Sequence, residues 1–187
     1  MIMTARNQGV HWPMRELVLG GARSGKSAYA ERKARESGLE VVYIATAEAG
    51  DGEMAERIAR HRARRPPEWS TVEAPFALAD AMTREAAPAR CLLVDCLTLW
   101  LTNLLAGAEG GAARLEIERA ALLETLPGLP GRICLVGNEV GHGIVPVNAL
   151  ARRFVDEAGW LHQEIAARCE RVVLVTAGLP HILKDTQ

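Results

Sequence analysis

Residues Gly20 to Ser27 read GGARSGKS, directly after the apolar run Leu17-Val18-Leu19 and before the helix-like stretch AYAERKARE. The segment matches the phosphate-binding pattern G-x-x-x-x-G-K-[ST] in its required strand–loop–helix setting. Such a loop dictates a fold in which a strand hands the backbone to a helix across a phosphate-sized turn. The residue types follow from the chemistry. Gly20, Gly21 and Gly25 let backbone N–H groups curl around phosphate oxygens, Lys26 reaches the β/γ oxygens, and the Ser27 hydroxyl suits Mg²⁺. The helix that follows adds its positive N-terminal dipole. A nucleoside triphosphate is the expected ligand.

Five short apolar runs recur along the chain: Glu16–Leu19, Val41–Ala45, Cys91–Asp95, Ile133–Val136 and Val172–Thr176. Each is largely unbroken rather than alternating, as in strands buried on both faces of a parallel sheet. Helical patterns lie between them at Lys26–Glu36, Glu53–Arg64, Ala77–Ala86, Leu97–Leu105, Ala113–Leu126 and Asn148–Arg168. Strands alternating with helices predict βαβ crossovers and an open α/β sheet. The expected fold class is therefore α/β, P-loop NTPase-like (RecA-type), with an open, mostly parallel sheet and helices on both faces. His181–Lys184, after Gly178 and Pro180, is a candidate antiparallel edge strand. The Ala/Gly-rich Ala106–Ala113 and the PGLPG of Pro127–Gly131 read as loops within one domain.

A chain of 187 residues with a formal net charge of -1 suits one large domain and carries no field that would recruit nucleic acid or an anionic membrane. No stretch approaches the roughly 20 apolar residues of a membrane span. Residues 1–14, MIMTARNQGVHWPM, lack the apolar core of an export signal and read as a flexible leader, with Met14 an alternative start and 15–187 the catalytic domain. Cys91, Cys96, Cys134 and Cys169 form no C-x-x-C pair and are expected as reduced core residues of a cytoplasmic protein.

In an open α/β sheet the chemistry gathers at the carboxyl ends of the strands. The run CLLVD closes on Asp95, the Walker-B pattern of an apolar strand ending in a carboxylate that holds Mg²⁺ or its water. The ends Ala45-Thr46-Ala47 and Asn138-Glu139-Val140-Gly141 are by themselves compatible with ordinary turns and caps.

The segment Asp51 to Trp69, DGEMAERIARHRARRPPEW, has the acidic start and basic end of a helix that complements its own dipole. Met54, Ile58 and His61 fall at i, i+4 and i+7, which places the histidine on the face expected to pack inward. Arg57, Arg60, Arg62, Arg64 and Arg65 surround it with positive charge, suited to phosphate beside an imidazole nucleophile. The other histidines, His11, His142, His162 and His181, show no metal-ligand spacing, and Trp69, Trp100 and Trp160 are expected as packing residues.

The motifs GGARSGKS, YIAT, DGEMAERIARHRARRP, VDCLTLWLTNLL and LVGNEVGHGIVPVNALARRFVDEAGWLHQEIA occur in this order between Leu17 and Lys184. Together they resemble the bifunctional adenosylcobinamide kinase / adenosylcobinamide-phosphate guanylyltransferase family of cobalamin biosynthesis. The resemblance implies phosphorylation of the aminopropanol hydroxyl of adenosylcobinamide with ATP or GTP. It further implies transfer of GMP from GTP to that phosphate, with release of pyrophosphate, through a guanylylated histidine that maps onto His61. Nucleotide contacts implied by matching positions are Gly20, Gly21, Ala22, Arg23, Ser24, Gly25, Lys26, Ser27, Ala45, Thr46, Ala47, Arg62, Ala63, Arg64, Arg65, Glu73 and Asp95. Ser27 and Asp95 are the implied Mg²⁺ positions, Asp95 having the short reach that favours contact through water. A corrinoid substrate and a homotrimer are implied in the same way. Two other readings fit the phosphate loop: a monofunctional small-molecule kinase, which has no need of His61, and a nucleotide-binding switch without turnover.

Overall fold

The computed structural model describes residues 14–48, 52, 62, 65–106 and 111–186. Seven strands form one sheet: β1 (Met14–Gly20), β2 (Glu40–Ala45), β3 (Ser70–Glu73), β4 (Arg90–Asp95), β5 (Arg132–Asn138), β6 (Arg171–Thr176) and β7 (Leu179–Asp185). Their order is β3-β2-β4-β5-β1-β6-β7. The first six are mutually parallel, and β7 returns antiparallel along β6 as the edge strand. One strand, β5, lies between the phosphate-loop strand β1 and the carboxylate strand β4. This is the P-loop NTPase-like, RecA-type sheet that the sequence predicts.

Among the described residues five α-helices accompany the sheet: α1 (Lys26–Glu36), α2 (Leu78–Glu85), α3 (Leu97–Ala106), α4 (Gly111–Thr125) and α5 (Ala149–Arg168). The unbroken apolar runs serve two separate cores, because successive side chains of a strand point to opposite faces. Leu17, Leu19, Val42, Ile44, Leu92, Val94, Ile133 and Leu135 pack toward α2, α3, α4 and α5, where Met82, Trp100, Leu104, Leu122 and Ile165 meet them. Val18, Val41, Tyr43, Leu93, Cys134 and Val136 face the other way, toward Tyr29, Ala30 and Ala34 of α1. All four cysteines are buried free thiols within these cores. At the amino end of β1, the buried Arg15 donates to the carbonyls of Leu126 and Pro127 and pairs with Glu170, closing the bottom of the sheet.

The structure corrects several expectations. β3 was not expected: its sequence STVE has one large apolar residue, Val72, because a short edge strand buries little and so leaves no apolar run. β1 begins at Met14, inside the stretch assigned to a leader. The segment Ala106–Ala113, read as a loop, includes the end of α3 and the start of α4. Asn148 is the N-cap of α5 rather than part of it, its side chain accepting from the Ala151 N–H at 3.1 Å. Trp160 is 53% exposed and is not a core packing residue, whereas Trp100 is fully buried with its indole N–H on the Phe76 carbonyl. The predicted leader up to Pro13 and most of the predicted helix Glu53–Arg64 lie outside the described residues.

Candidate nucleotide site

β1 delivers the phosphate loop at the carboxyl edge of the sheet. The Ser24 N–H donates to the Gly21 carbonyl at 3.2 Å, and the Tyr29 N–H donates to the Gly25 carbonyl at 2.9 Å, so the turn runs directly into α1. Gly25 has φ +95°, a conformation open to glycine, and a Cβ there would lie 3.1 Å from the Gly178 Cα. A Cβ on Gly20 would fall 2.6 Å from the Val175 carbonyl oxygen. The loop is thus seated against the β6–β7 turn, whose Gly178 N–H donates to the Ser24 carbonyl at 2.8 Å. The Lys26 ammonium folds back to the Gly21 carbonyl at 3.1 Å, the compact pose of a P-loop lysine over its own loop.

Strand register brings the remaining groups into line. Ala45 pairs with Glu73 on one side and with Asp95 on the other, while Gly20 pairs with Asn138. Glu73, Ala45 and Asp95 therefore stand abreast at three consecutive strand ends. One pocket opens above them, walled by Lys26 and Ser27 from the loop, Ala45 and Ala47 after β2, Thr71 and Glu73 of β3, Asp95, Cys96 and Leu99, and Asn138 of β5. Arg62 and Arg65 form its basic wall, with Tyr43 beneath.

Several expected contacts are therefore gathered in one place: Lys26, Ser27, Ala45, Ala47, Arg62, Arg65, Glu73 and Asp95. Thr46 is turned away from the pocket and fully buried, its hydroxyl donating to the Cys96 carbonyl at 2.7 Å. His61, Ala63 and Arg64, with Arg57 and Arg60 of the predicted collar, lie outside the described residues. Tyr43, Thr71, Cys96, Leu99 and Asn138 were not singled out as ligand-facing by sequence. Tyr43 alternates with Val42 and Ile44 and reads as core. Asn138 reads as a turn residue until its register with Gly20 is known.

The Tyr43 hydroxyl donates to Asp95 Oδ2 at 2.9 Å, and the Arg65 guanidinium lies 3.4 Å from the centre of the Tyr43 ring. Burial, and after it the Asp95 carboxylate, push the Tyr43 hydroxyl and the Cys96 thiol above their ordinary pKa ranges, so both stay protonated at neutral pH. No cluster of three or more His, Cys, Asp or Glu side chains suited to a metal occurs among the described residues. A hydroxyl and one carboxylate beside a phosphate loop nevertheless fit Mg²⁺, which keeps waters and is held through one or two carboxylates plus substrate phosphates.

A phosphate loop, an aspartate two strands away and a basic wall on one pocket define a P-loop nucleotide-binding protein. The CobU family, described as cobinamide kinase / cobinamide phosphate guanyltransferase, matches residues 16–183. The bifunctional adenosylcobalamin biosynthesis protein CobP of Pseudomonas aeruginosa is 66% identical over 171 residues, which cover 91% of this chain and 98% of that protein. Its counterpart CobU of Salmonella typhimurium is 41% identical over 174 residues, 87% of this chain and 96% of the relative. The solved structure of PH0250 from Pyrococcus horikoshii OT3 shares the fold at 11% identity, with a TM-score of 0.52 over 93% of this chain and 87% of that one. The chain belongs to the cobinamide kinase / cobinamide phosphate guanyltransferase family, and it is an enzyme with both transferase activities.

Proposed function

We propose that one pocket performs two successive transfers from nucleoside triphosphates, with Mg²⁺, to a corrinoid: phosphorylation of adenosylcobinamide by ATP or GTP, then attachment of GMP from GTP to give adenosylcobinamide-GDP. The observation that carries this reading is the convergence of Lys26, Ser27, Asp95, Arg62 and Arg65 on a single cavity. In the first reaction the substrate hydroxyl oxygen attacks the γ-phosphorus, the bond to the β-phosphate oxygen breaks, the nucleoside diphosphate departs, and the hydroxyl proton is released to solvent. Lys26 and the loop N–H groups hold the departing charge, and Ser27 and Asp95 are the residues that would hold a divalent cation, which would neutralise phosphate charge when bound.

In the second reaction a neutral imidazole nitrogen of His61 attacks the α-phosphorus of GTP, pyrophosphate leaves, and a phosphoramidate forms. An oxygen of adenosylcobinamide phosphate then attacks that phosphorus, breaking the P–N bond and freeing the histidine. The support for His61 is its place in the sequence, at i+7 from Met54 and within an arginine-rich run of which Arg62 and Arg65 wall the pocket. Positive charge from Arg62 and Arg65 suits the α-phosphate and the pyrophosphate that departs.

A cytoplasmic homotrimer belongs to the same reading. Four buried thiols suit a reducing compartment, and the exposed Ile144, Val145, Val147, Ile182 and Leu183 offer apolar surface for subunits to cover. Among the described residues no helix is long and apolar enough to cross a membrane. Residues 15–187 act in this reading as a single catalytic domain. Intact-mass spectrometry after incubation with GTP and Mg²⁺ tests it: the protein gains one GMP and loses it on addition of adenosylcobinamide phosphate. A protein that phosphorylates adenosylcobinamide yet never gains GMP is a simple kinase.

A further inference from the structure

Tyr43 lies in β2 and is 2% exposed, yet both its polar and its aromatic parts contact charged groups of the pocket. Its hydroxyl reaches Asp95 Oδ2 at 2.9 Å, across the pairing of β2 with β4. Its ring carries the guanidinium of Arg65 at 3.4 Å. A buried tyrosine requires an acceptor for its O–H, and here that acceptor is the site's own carboxylate. A stacked arginine is held in plane while its edge stays available to anions. Among the described residues the Arg65 side chain also donates to Thr71 Oγ1 at 3.4 Å, and its buried Nε has no hydrogen-bond partner there. The buried tyrosine ring is accordingly a fixed support of that guanidinium.

The two groups that Tyr43 touches have opposite charge and serve opposite needs. Both line the pocket, and in the two-transfer reading Asp95 would face the cation side of a bound triphosphate and Arg65 its oxygens. Left unsupported, they would be drawn to each other across the pocket. We propose that Tyr43 is a positioning residue that holds Asp95 and Arg65 apart and in fixed orientation on the nucleotide pocket, its hydroxyl fixing the first and its ring the second. The inference rests on the two-transfer reading for its importance, but its core is a statement about nucleotide and Mg²⁺ binding.

The two functions of the side chain can be separated by substitution. Tyr43→Phe keeps the ring and removes only the hydroxyl. Partners of this kind behind a cation site change affinity by about 10- to 100-fold. Calorimetric titration with GTP at varied Mg²⁺ should show the half-saturating Mg²⁺ concentration rising about 10-fold in Tyr43→Phe, with GTP affinity at saturating Mg²⁺ changed less than about twofold. Tyr43→Leu should in addition weaken GTP at saturating Mg²⁺, because Arg65 has lost its support. In an Asp95→Ala background the Phe substitution should have no further effect on Mg²⁺ dependence, and in an Arg65→Met background the Leu substitution should no longer weaken GTP.

Additive penalties in either double variant, or a Tyr43→Phe protein with wild-type Mg²⁺ dependence, would show that Tyr43 only fills the core. If Tyr43→Leu does not fold, by loss of its far-ultraviolet circular dichroism, the Phe arm with Asp95→Ala still decides. Neither arm requires turnover. A wild-type protein that binds GTP but transfers nothing to adenosylcobinamide overturns the two-transfer reading and leaves the Tyr43 cycle to stand or fall on its own.

Discussion

Thr46 and Cys96 hold each other through both backbone groups of the cysteine: the threonine hydroxyl donates to the Cys96 carbonyl at 2.7 Å and accepts from the Cys96 N–H at 2.8 Å. The clamp joins the chain leaving β2 to the chain leaving β4, just beyond Ala45 and Asp95. Asn103 of α3 extends it by donating to the carbonyls of Thr46 at 2.8 Å and Pro75 at 3.0 Å. Thr98 continues it toward β5 by accepting from the Asn138 N–H at 2.8 Å. Four strand ends that each supply a wall of the pocket are therefore tied together behind it. The nucleotide site gains rigidity from Thr46, Thr98 and Asn103, none of which lines the pocket.

Thr46→Val keeps the shape of the side chain and removes the clamp, leaving the buried Cys96 N–H without its partner while the Cys96 carbonyl keeps the Trp100 N–H at 3.2 Å. Such an orphan costs about 1–3 kcal/mol, and a loss of that size is expected in urea unfolding. Thr46→Ser, which keeps the hydroxyl, should lose about 1 kcal/mol or less through its missing methyl group. Equal midpoints for the Val variant and the wild type would mean that water or a backbone shift replaces both bonds.

Lys26→Ala should abolish both transfers together. The sequence contains one phosphate loop, and Lys26 and Ser27 open onto the same cavity as Arg62 and Arg65. Loss of a preorganised donor at a centre of developing charge costs about 100-fold or more in kcat. Steady-state assays of adenosylcobinamide phosphorylation and of GMP transfer check this in parallel. Robust turnover of either reaction in the variant would place its donor nucleotide at a different site.

Much of this architecture is legible in the sequence because its signals are strong and local. A glycine-rich loop needs its glycines wherever it occurs, as the φ of +95° at Gly25 illustrates, and strands buried on both faces cannot avoid unbroken apolar runs. What escapes is information that resides in register. Ser70–Glu73 carries no run to announce it, and yet its pairing with β2 puts Glu73 level with Asp95 through Ala45. Tyr43 has the pattern of a core residue and is one, and only the neighbouring strand reveals that its hydroxyl ends on a carboxylate. Thr46 by itself is compatible with an ordinary turn, and only the fold shows its hydroxyl clamped on both backbone groups of Cys96.

His162 on α5 gives the protein an acid-side weakness. It is 7% exposed, and a Cβ on Gly137 would lie 2.6 Å from its Nε2, so it packs directly beneath β5. Burial lowers its pKa, opposed only in part by the Glu139 carboxylate. The unfolded chain, with an imidazole pKa of about 6.5, therefore takes up a proton before the folded one does. The stability associated with neutral His162 is complete above the unfolded pKa and falls as pH drops below it, toward the lowered folded pKa. His162→Gln removes the titration, so the difference between its unfolding free energies at pH 7.5 and pH 5.5 should be smaller than in the wild type. An unchanged difference would assign the acid sensitivity to other groups.

His61→Ala should separate the two activities. Guanylyl transfer through a covalent intermediate requires a nucleophile at the α-phosphorus, and His61 is the histidine of the arginine-rich segment. Phosphoryl transfer to adenosylcobinamide requires only the loop, the cation and an in-line hydroxyl, so with ATP as donor it should survive at least in part. With GTP labelled at the α-phosphate, the wild type should acquire a label that is lost in acid and kept in base, the behaviour of a phosphoramidate, while the variant stays unlabelled. Supplying imidazole should not restore a protein-bound label but should restore some GMP transfer if the cavity left by the side chain admits it. Equal labelling of both proteins would exclude His61 as the nucleophile and turn attention to Lys33 and Lys184, the lysines outside the phosphate loop. Both are already committed elsewhere, Lys33 to Glu36 at 2.7 Å and Lys184 to the Ala166 carbonyl at 2.9 Å, and neither lines the nucleotide pocket. A labelled lysine would therefore require the nucleotide to bind outside the cavity that the phosphate loop defines, and a Lys26→Ala protein that still took up label would confirm that it does.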